Sequence, residues 1–93
     1  EDSPVKADVF RLDGKVVAVI GAGSGIGAAV AECVAGQGGH TICCDLRPDS
    51  AEATARAIRA AGGRADGLAL DINDEAGVAD ALAGLVTAHG RLD

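Results

Sequence analysis

The stretch Lys15-Val-Val-Ala-Val-Ile-Gly-Ala-Gly-Ser-Gly-Ile-Gly27 limits the fold of this chain more than any other. Val16 to Ile20 is apolar at every position and mostly β-branched, the pattern of a strand covered by helices on both sides of a parallel sheet. The glycines that follow stop the strand, and beyond them apolar residues recur at helical spacing. Glycine lets the backbone take positive φ and come close to a ligand. The first turn of the following helix then aims its free N–H groups at the same point. A strand, a glycine turn and a helix in that order predict a binding site for a pyrophosphate.

The spacing of the glycines narrows the reading. Counted from Gly21, the dinucleotide fingerprint G-x-G-x-x-G/A requires a small residue at position 26, where Ile26 stands. The spacing G-x-x-x-G-x-G is met by Gly21, Gly25 and Gly27, and in this the sequence resembles the short-chain dehydrogenase/reductase family. The resemblance runs from about Leu12 to the last residue. That family usually has threonine before the first glycine. Ile20 stands here instead, without the hydroxyl that would brace the turn.

Along the chain, residues 1–11 are mostly polar around Pro4 and read as an N-terminal arm, with Val9 to Leu12 leading into the fold. Asp13-Gly14 is a turn signal before the first strand. Ile26, Val30, Cys33 and Val34 predict a buried helical stripe that stops at Gly36 to Gly39. Thr41 to Cys44 is a second buried strand closed by Asp45. Asp49-Ser50-Ala51-Glu52 has capping-box spacing, and the helix it opens ends at Gly62-Gly63. Ala65 to Leu70 is the third strand. The last helix opens near Asn73, presents Val78, Leu82, Leu85, Val86 and His89 as its buried stripe, and ends at Gly90. Arg91-Leu92-Asp93 reads as the entry to a fourth strand. Three β-α units in series predict an α/β fold, a Rossmann-type doubly wound parallel sheet. With strand 1 central in the order 3-2-1-4, its far edge would be bare, so residues 12–93 read as the N-terminal half of a larger dinucleotide-binding domain. With no methionine in the chain, residue 1 is not expected to be a translation start.

Composition excludes several classes of function. A net charge of −6 with eight scattered basic residues argues against nucleic acid as a partner. No apolar run approaches the ~18 residues of a membrane span, and Glu1-Asp-Ser-Pro4 is not a signal-peptide start. Cys33, Cys43 and Cys44 form an odd set without C-x-x-C spacing, which reads as buried free thiols in a reducing cytoplasm and not as a metal site. His40 opens a strand and His89 ends a helix; neither reads as catalytic, and no metal site is expected.

Asp45 closes the second strand about 20 residues past the glycine turn, where a carboxylate can accept from an adenosine ribose and repel a 2′-phosphate. The plain structural alternative is a cap on the Leu46 to Asp49 turn. Ser24, at a position often basic in NADP-preferring members of the family, joins Asp45 and Leu46 in pointing to NAD in preference to NADP. Arg47 is the dissenting residue. The resemblance further implies that Asp71 accepts from the adenine amine and that the Ile72 N–H donates to the ring. It also implies that Ile26 gives its N–H to the pyrophosphate and its side chain to the nicotinamide pocket. The plain alternatives are a helix cap for Asp71 and a core position for Ile26.

The family's proton-transfer pair is Tyr-x-x-x-Lys, assisted by serine and asparagine. This chain has no tyrosine, and its lysines, Lys6 and Lys15, precede the turn, so it is expected to hold a cofactor half-site and no catalytic group. The resemblance implies an oxidoreductase that moves hydride between NAD and an alcohol or carbonyl substrate, assembled as a homo-oligomer, dimer or tetramer. A non-catalytic nucleotide-binding or sensor protein is the other reading. A methyltransferase would place an acidic residue just before the glycines, where Val19-Ile20 is apolar.

Overall fold

A computed structural model describes residues 12–93. The expected N-terminal arm, and all of its lead-in except Leu12, lie outside the described residues. Three strands and three helices alternate: β1 (Val16–Ile20), α1 (Gly25–Gly36), β2 (His40–Asp45), α2 (Pro48–Ala60), β3 (Arg64–Ala69) and α3 (Glu75–His89). The strands form one parallel sheet in the order β1-β2-β3, with Val16 opposite His40 and His40 opposite Arg64. The pleat then sorts their side chains by parity. Val19, Cys43 and Ala65 turn to the face covered by α1 and α2, where they join Ala22, Ala31, Ala55 and Ile58. Val16, Ile42 and Cys44 turn to the other face with Leu70, where Val78, Ala81 and Leu85 of α3 pack on them together with Leu92. Helices cover both faces, as a doubly wound sheet requires.

The strand positions agree with the sequence reading to within a residue, whereas the helix faces and one cap differ. In α1 only Val34 of the expected stripe packs on the core, beside Ala31 and Ala35; Ile26, Val30 and Cys33 are exposed. At ~100° per residue, the side carrying Gly27, Ala31, Val34 and Ala35 is turned by roughly a quarter to a third of a circle from the stripe of larger residues. The small side chains face the sheet because they let the helix approach it. Cys33 therefore departs from the expected buried thiol, while Cys43 and Cys44 are buried. In α3, Val86 is 46% exposed and no residue is fully buried, although Val78 and Leu85 face the core as expected.

The capping box at Asp49 is not used. Arg47 is the N-cap, Pro48 occupies the first turn, and Glu52 pairs with Arg59 instead of reaching back. Proline is preorganised for that position and lacks the N–H that would go unpaired, so it sets the start of the helix two residues earlier. Asp74 caps α3 through a 3.1 Å bond from the Gly77 N–H, and Gly90 ends it in the left-handed region. At the bare edge of β1, the Asp93 N–H donates to the Val16 carbonyl and the Val16 N–H donates to Asp93 Oδ2. Asp93 thus begins to pair where a fourth strand was expected. No helix among the described residues is long and apolar enough to cross a membrane.

Candidate functional site at the carboxyl ends of the strands

Each strand delivers its loop to the same end of the sheet. Gly21 follows β1 with φ +76°, a conformation that a side chain would strain. The chain then doubles back, so a Cβ on Gly27 would overlap the Gly21 carbonyl oxygen. These two glycines are fixed by the shape of the turn itself. Gly25 differs: a Cβ there would meet nothing within 4 Å. It stands at the first position of α1 and faces open space. Ser24 is the N-cap, but its side chain makes no capping bond to the helix, and its hydroxyl reaches only the Gly21 carbonyl at 3.4 Å. The first bond back to Ser24 comes from Ala28, so the N–H groups of Gly25, Ile26 and Gly27 have no intrahelical partner.

The turn is braced from β2 and α2. Asp45 Oδ2 accepts from the Gly23 N–H at 3.0 Å, and its Oδ1 accepts from the Arg47 N–H at 3.0 Å. The second bond is the turn cap that the plain reading of Asp45 anticipated. The first ties the end of β2 to the glycine turn. Together the N–H groups of Arg47 and Gly23 hold the Asp45 carboxyl below the usual carboxylate range, so it is ionised at neutral pH. From α2, the buried Thr54 hydroxyl donates to the Ala22 carbonyl at 2.8 Å. It supplies from a distance the brace that Ile20 lacks. Nothing in the local motif points to Thr54, because its partner lies 32 residues away.

A cleft of about 260 Å³ opens beside the turn, lined by Ile20, Gly21, Asp45, Leu46, Leu70, Asp71, Ile72 and Asn73. Five of the nine residues singled out in the sequence, Gly21, Asp45, Leu46, Asp71 and Ile72, meet in it. Ser24, Gly25, Ile26 and Gly27 line the adjoining turn and helix start instead. Ile20, Leu70 and Asn73 complete the walls without having been singled out. Asp71 also caps locally, accepting from the Asn73 N–H at 2.9 Å. Ile26 is 85% exposed, which excludes the core reading for its side chain. Leu46 and Ile72 are 66% and 62% exposed, and Ile20 is 49% exposed. Four of the six large exposed apolar side chains among the described residues therefore ring the carboxyl ends of the strands. A larger hollow at the other end of α1 and α2, about 490 Å³, is lined mainly by alanine and glycine and brings no such set together.

The model of the family described as short chain dehydrogenase matches residues 15–93. D-threitol dehydrogenase of Mycolicibacterium smegmatis is 43% identical over 84 residues, which are 90% of this chain and 32% of that protein. Hydroxysteroid dehydrogenase from Escherichia coli superposes with a TM-score of 0.88 at 31% identity, covering 94% of this chain and 37% of that one. A metagenomic short-chain oxidoreductase in complex with NADP gives a TM-score of 0.85 at 36% identity, over 88% of this chain and 37% of that one. The chain spans about a third of the length of these relatives. Over the strand, glycine turn and helix units from residue 15 onward, the chain belongs to the short-chain dehydrogenase family.

Proposed function

We propose that residues 12–93 are the N-terminal half of a dinucleotide-binding Rossmann domain in an NAD-dependent oxidoreductase acting on an alcohol or carbonyl substrate. The observation that carries this reading is the ionised Asp45 carboxylate at the cleft, within reach of the glycine turn, with exposed apolar side chains on both flanks. Exposed apolar groups gathered around a few fixed polar ones are the usual lining of a cofactor site.

The residues present fit a nicotinamide dinucleotide. Gly25 leaves the space a pyrophosphate needs, and the Ile26 and Gly27 N–H groups at the start of α1 supply donors and a favourable dipole for it. Asp45 would accept from the adenosine ribose hydroxyls, and a 2′-phosphate there would meet like charge. Leu46 and Ile72 would hold the adenine between them, with Asp71 accepting from its amine. The Ile26 side chain would border the nicotinamide pocket. Ser24 adds no positive charge to the phosphate side. A nicotinamide cofactor held by these residues would supply hydride chemistry at an alcohol or carbonyl carbon. This chain's part is to hold and orient the cofactor, since it has no tyrosine for the proton transfer. Free thiols at Cys33, Cys43 and Cys44 suit a reducing cytoplasm, and membership of the family supports association into a dimer or tetramer.

Calorimetric titration of the intact protein with NAD(H) and NADP(H) tests the reading. NAD(H) should bind more tightly, and Asp45→Ala should narrow the gap by ~1–3 kcal/mol, the cost of leaving a polar partner unsatisfied. Tighter NADP(H) binding by the unmutated protein would overturn the choice of NAD and assign the exposed Arg47 to the 2′-phosphate.

A further inference from the structure

The opposite end of the sheet carries a second group of coordinating side chains. His40 opens β2, Asp66 lies on β3 and His89 ends α3. Even-numbered residues of β2 and β3 point toward α3, so the pleat puts His40 and Asp66 on the side where the helix ends. His40 Nε2 stands 2.8 Å from Asp66 Oδ2, and the His40 and His89 rings meet edge to face with centroids 4.7 Å apart. One donor atom from each of the three residues lies within 4.8 Å of the others. The chain has only these two histidines, and their positions in sequence follow no metal-binding spacing. The fold alone brings them together.

We propose that His40, Asp66 and His89 form a binding site for Zn²⁺, completed by water, which fastens the end of α3 to β2 and β3. Two neutral imidazoles and a carboxylate are a ligand set that zinc accepts. Bonds of about 2.0–2.2 Å place tetrahedral ligand atoms roughly 3.3 Å apart. The His40 and Asp66 atoms are already near that separation at 2.8 Å, and no donor pair of the three is more than 4.8 Å apart. The electrostatics agree. The site lies at the carboxyl end of α3, where the helix dipole favours a cation, and the chain as a whole carries net charge −6. No residue of α3 is fully buried, so a clamp at its end would contribute visibly to stability. The arrangement lies at the other end of the strands from the cleft, which separates its effects from dinucleotide binding.

The test uses the intact, metal-free protein carrying Cys33→Ser, which removes the exposed thiol among the described residues. Zn²⁺ is titrated by calorimetry and Co²⁺ by visible absorption. The expected result is one equivalent bound, a rise in melting temperature, and a cobalt spectrum without thiolate charge-transfer bands. His40→Ala and His89→Ala should each weaken Zn²⁺ by more than the ~10–100-fold that follows loss of an outer-shell partner, with dinucleotide affinity unchanged. Asp66→Asn, at an exposed side chain, provides the same comparison if His40→Ala fails to fold. Absence of saturable uptake, thiolate bands, or uptake retained in both His89→Ala and Asp66→Asn would overturn the site and leave a hydrogen-bonded pair with a second ring set edge-on against it.

Discussion

Thr54→Val isolates the brace that α2 gives to the glycine turn. Thr54 is 7% exposed and Ala22 is fully buried, and the 2.8 Å bond between hydroxyl and carbonyl crosses from helix to turn. Valine keeps the volume, the branching and nearly the helix propensity of threonine, so cavity and propensity effects drop out. What remains is a buried carbonyl stripped of a donor, which costs about 1–3 kcal/mol. Thr54→Ser is the control: it keeps the hydroxyl and loses one buried methyl, about 0.8 kcal/mol before any cavity cost. Urea unfolding of the intact protein measures both losses, and a dinucleotide titration separates them. Freed of its brace, the turn in Thr54→Val should bind dinucleotide more weakly, while Thr54→Ser should bind as the unmutated protein does. Equal dinucleotide affinity in all three proteins would refute the claim that this hydroxyl shapes the turn.

Gly25→Val and Gly27→Ala should part company. The first should melt like the unmutated protein yet lose dinucleotide binding, because its side chain enters open space; the second should lose the ~1–3 kcal/mol of ordinary overpacking or more, because its Cβ overlaps the Gly21 carbonyl. A Gly25→Val protein that binds NAD with unchanged affinity would make the loop a structural turn only. Acid should loosen the Asp93 contact with β1: the Arg91 side chain and the Val16 N–H hold the Asp93 carboxyl at about 2, against 3.8 for the free group. A depressed pKa stabilises above the unfolded value and is lost as pH falls from near 3.8 toward 2, so Asp93→Asn should flatten the stability profile in that window. Among Cys33, Cys43 and Cys44, thiol labelling of the native protein at neutral pH should modify Cys33 and spare the other two, since Cys43 and Cys44 are buried and burial pushes the Cys44 thiol up to about 11. Labelling of Cys44 without unfolding would contradict the core described here.

Strands were easier to read than helix faces, and the reason is physical. Val16 to Val19 lies between helix layers, so that stretch must be apolar and both ends of the strand are marked. In α1 the sheet selects small side chains, and the larger Ile26 and Val30, which a hydrophobicity pattern weights most, are left outside. Arg47 and Pro48 start α2 ahead of the capping box because proline at the first turn outweighs a side chain that merely has the right spacing. The glycines, Asp45 and Asp71 were legible because each sits at a strand end, where the period changes. Thr54 and the grouping of His40, Asp66 and His89 were not, because separations of 23 to 49 residues acquire meaning only after folding.

The alanines of the core set a direction for change at this site. Ala22, Ala31, Ala51, Ala55 and Ala65 are all at most 3% exposed, and α1 and α2 come close to the sheet because these side chains end at one carbon. Truncation can remove little from such an interior, whereas each added methylene pushes a helix outward at ~1–3 kcal/mol. Tolerance is therefore lopsided: glycine, the one smaller residue, costs ~0.5–1 kcal/mol in the helices, and anything larger costs more. The displacement would be felt first at Ala22, which sits inside the glycine turn between the Cys44 carbonyl and the Thr54 hydroxyl. Swelling anywhere between α2 and the sheet becomes a lateral shift of the unpaired N–H groups at the start of α1, so bulk in the core and the aim of those donors vary together.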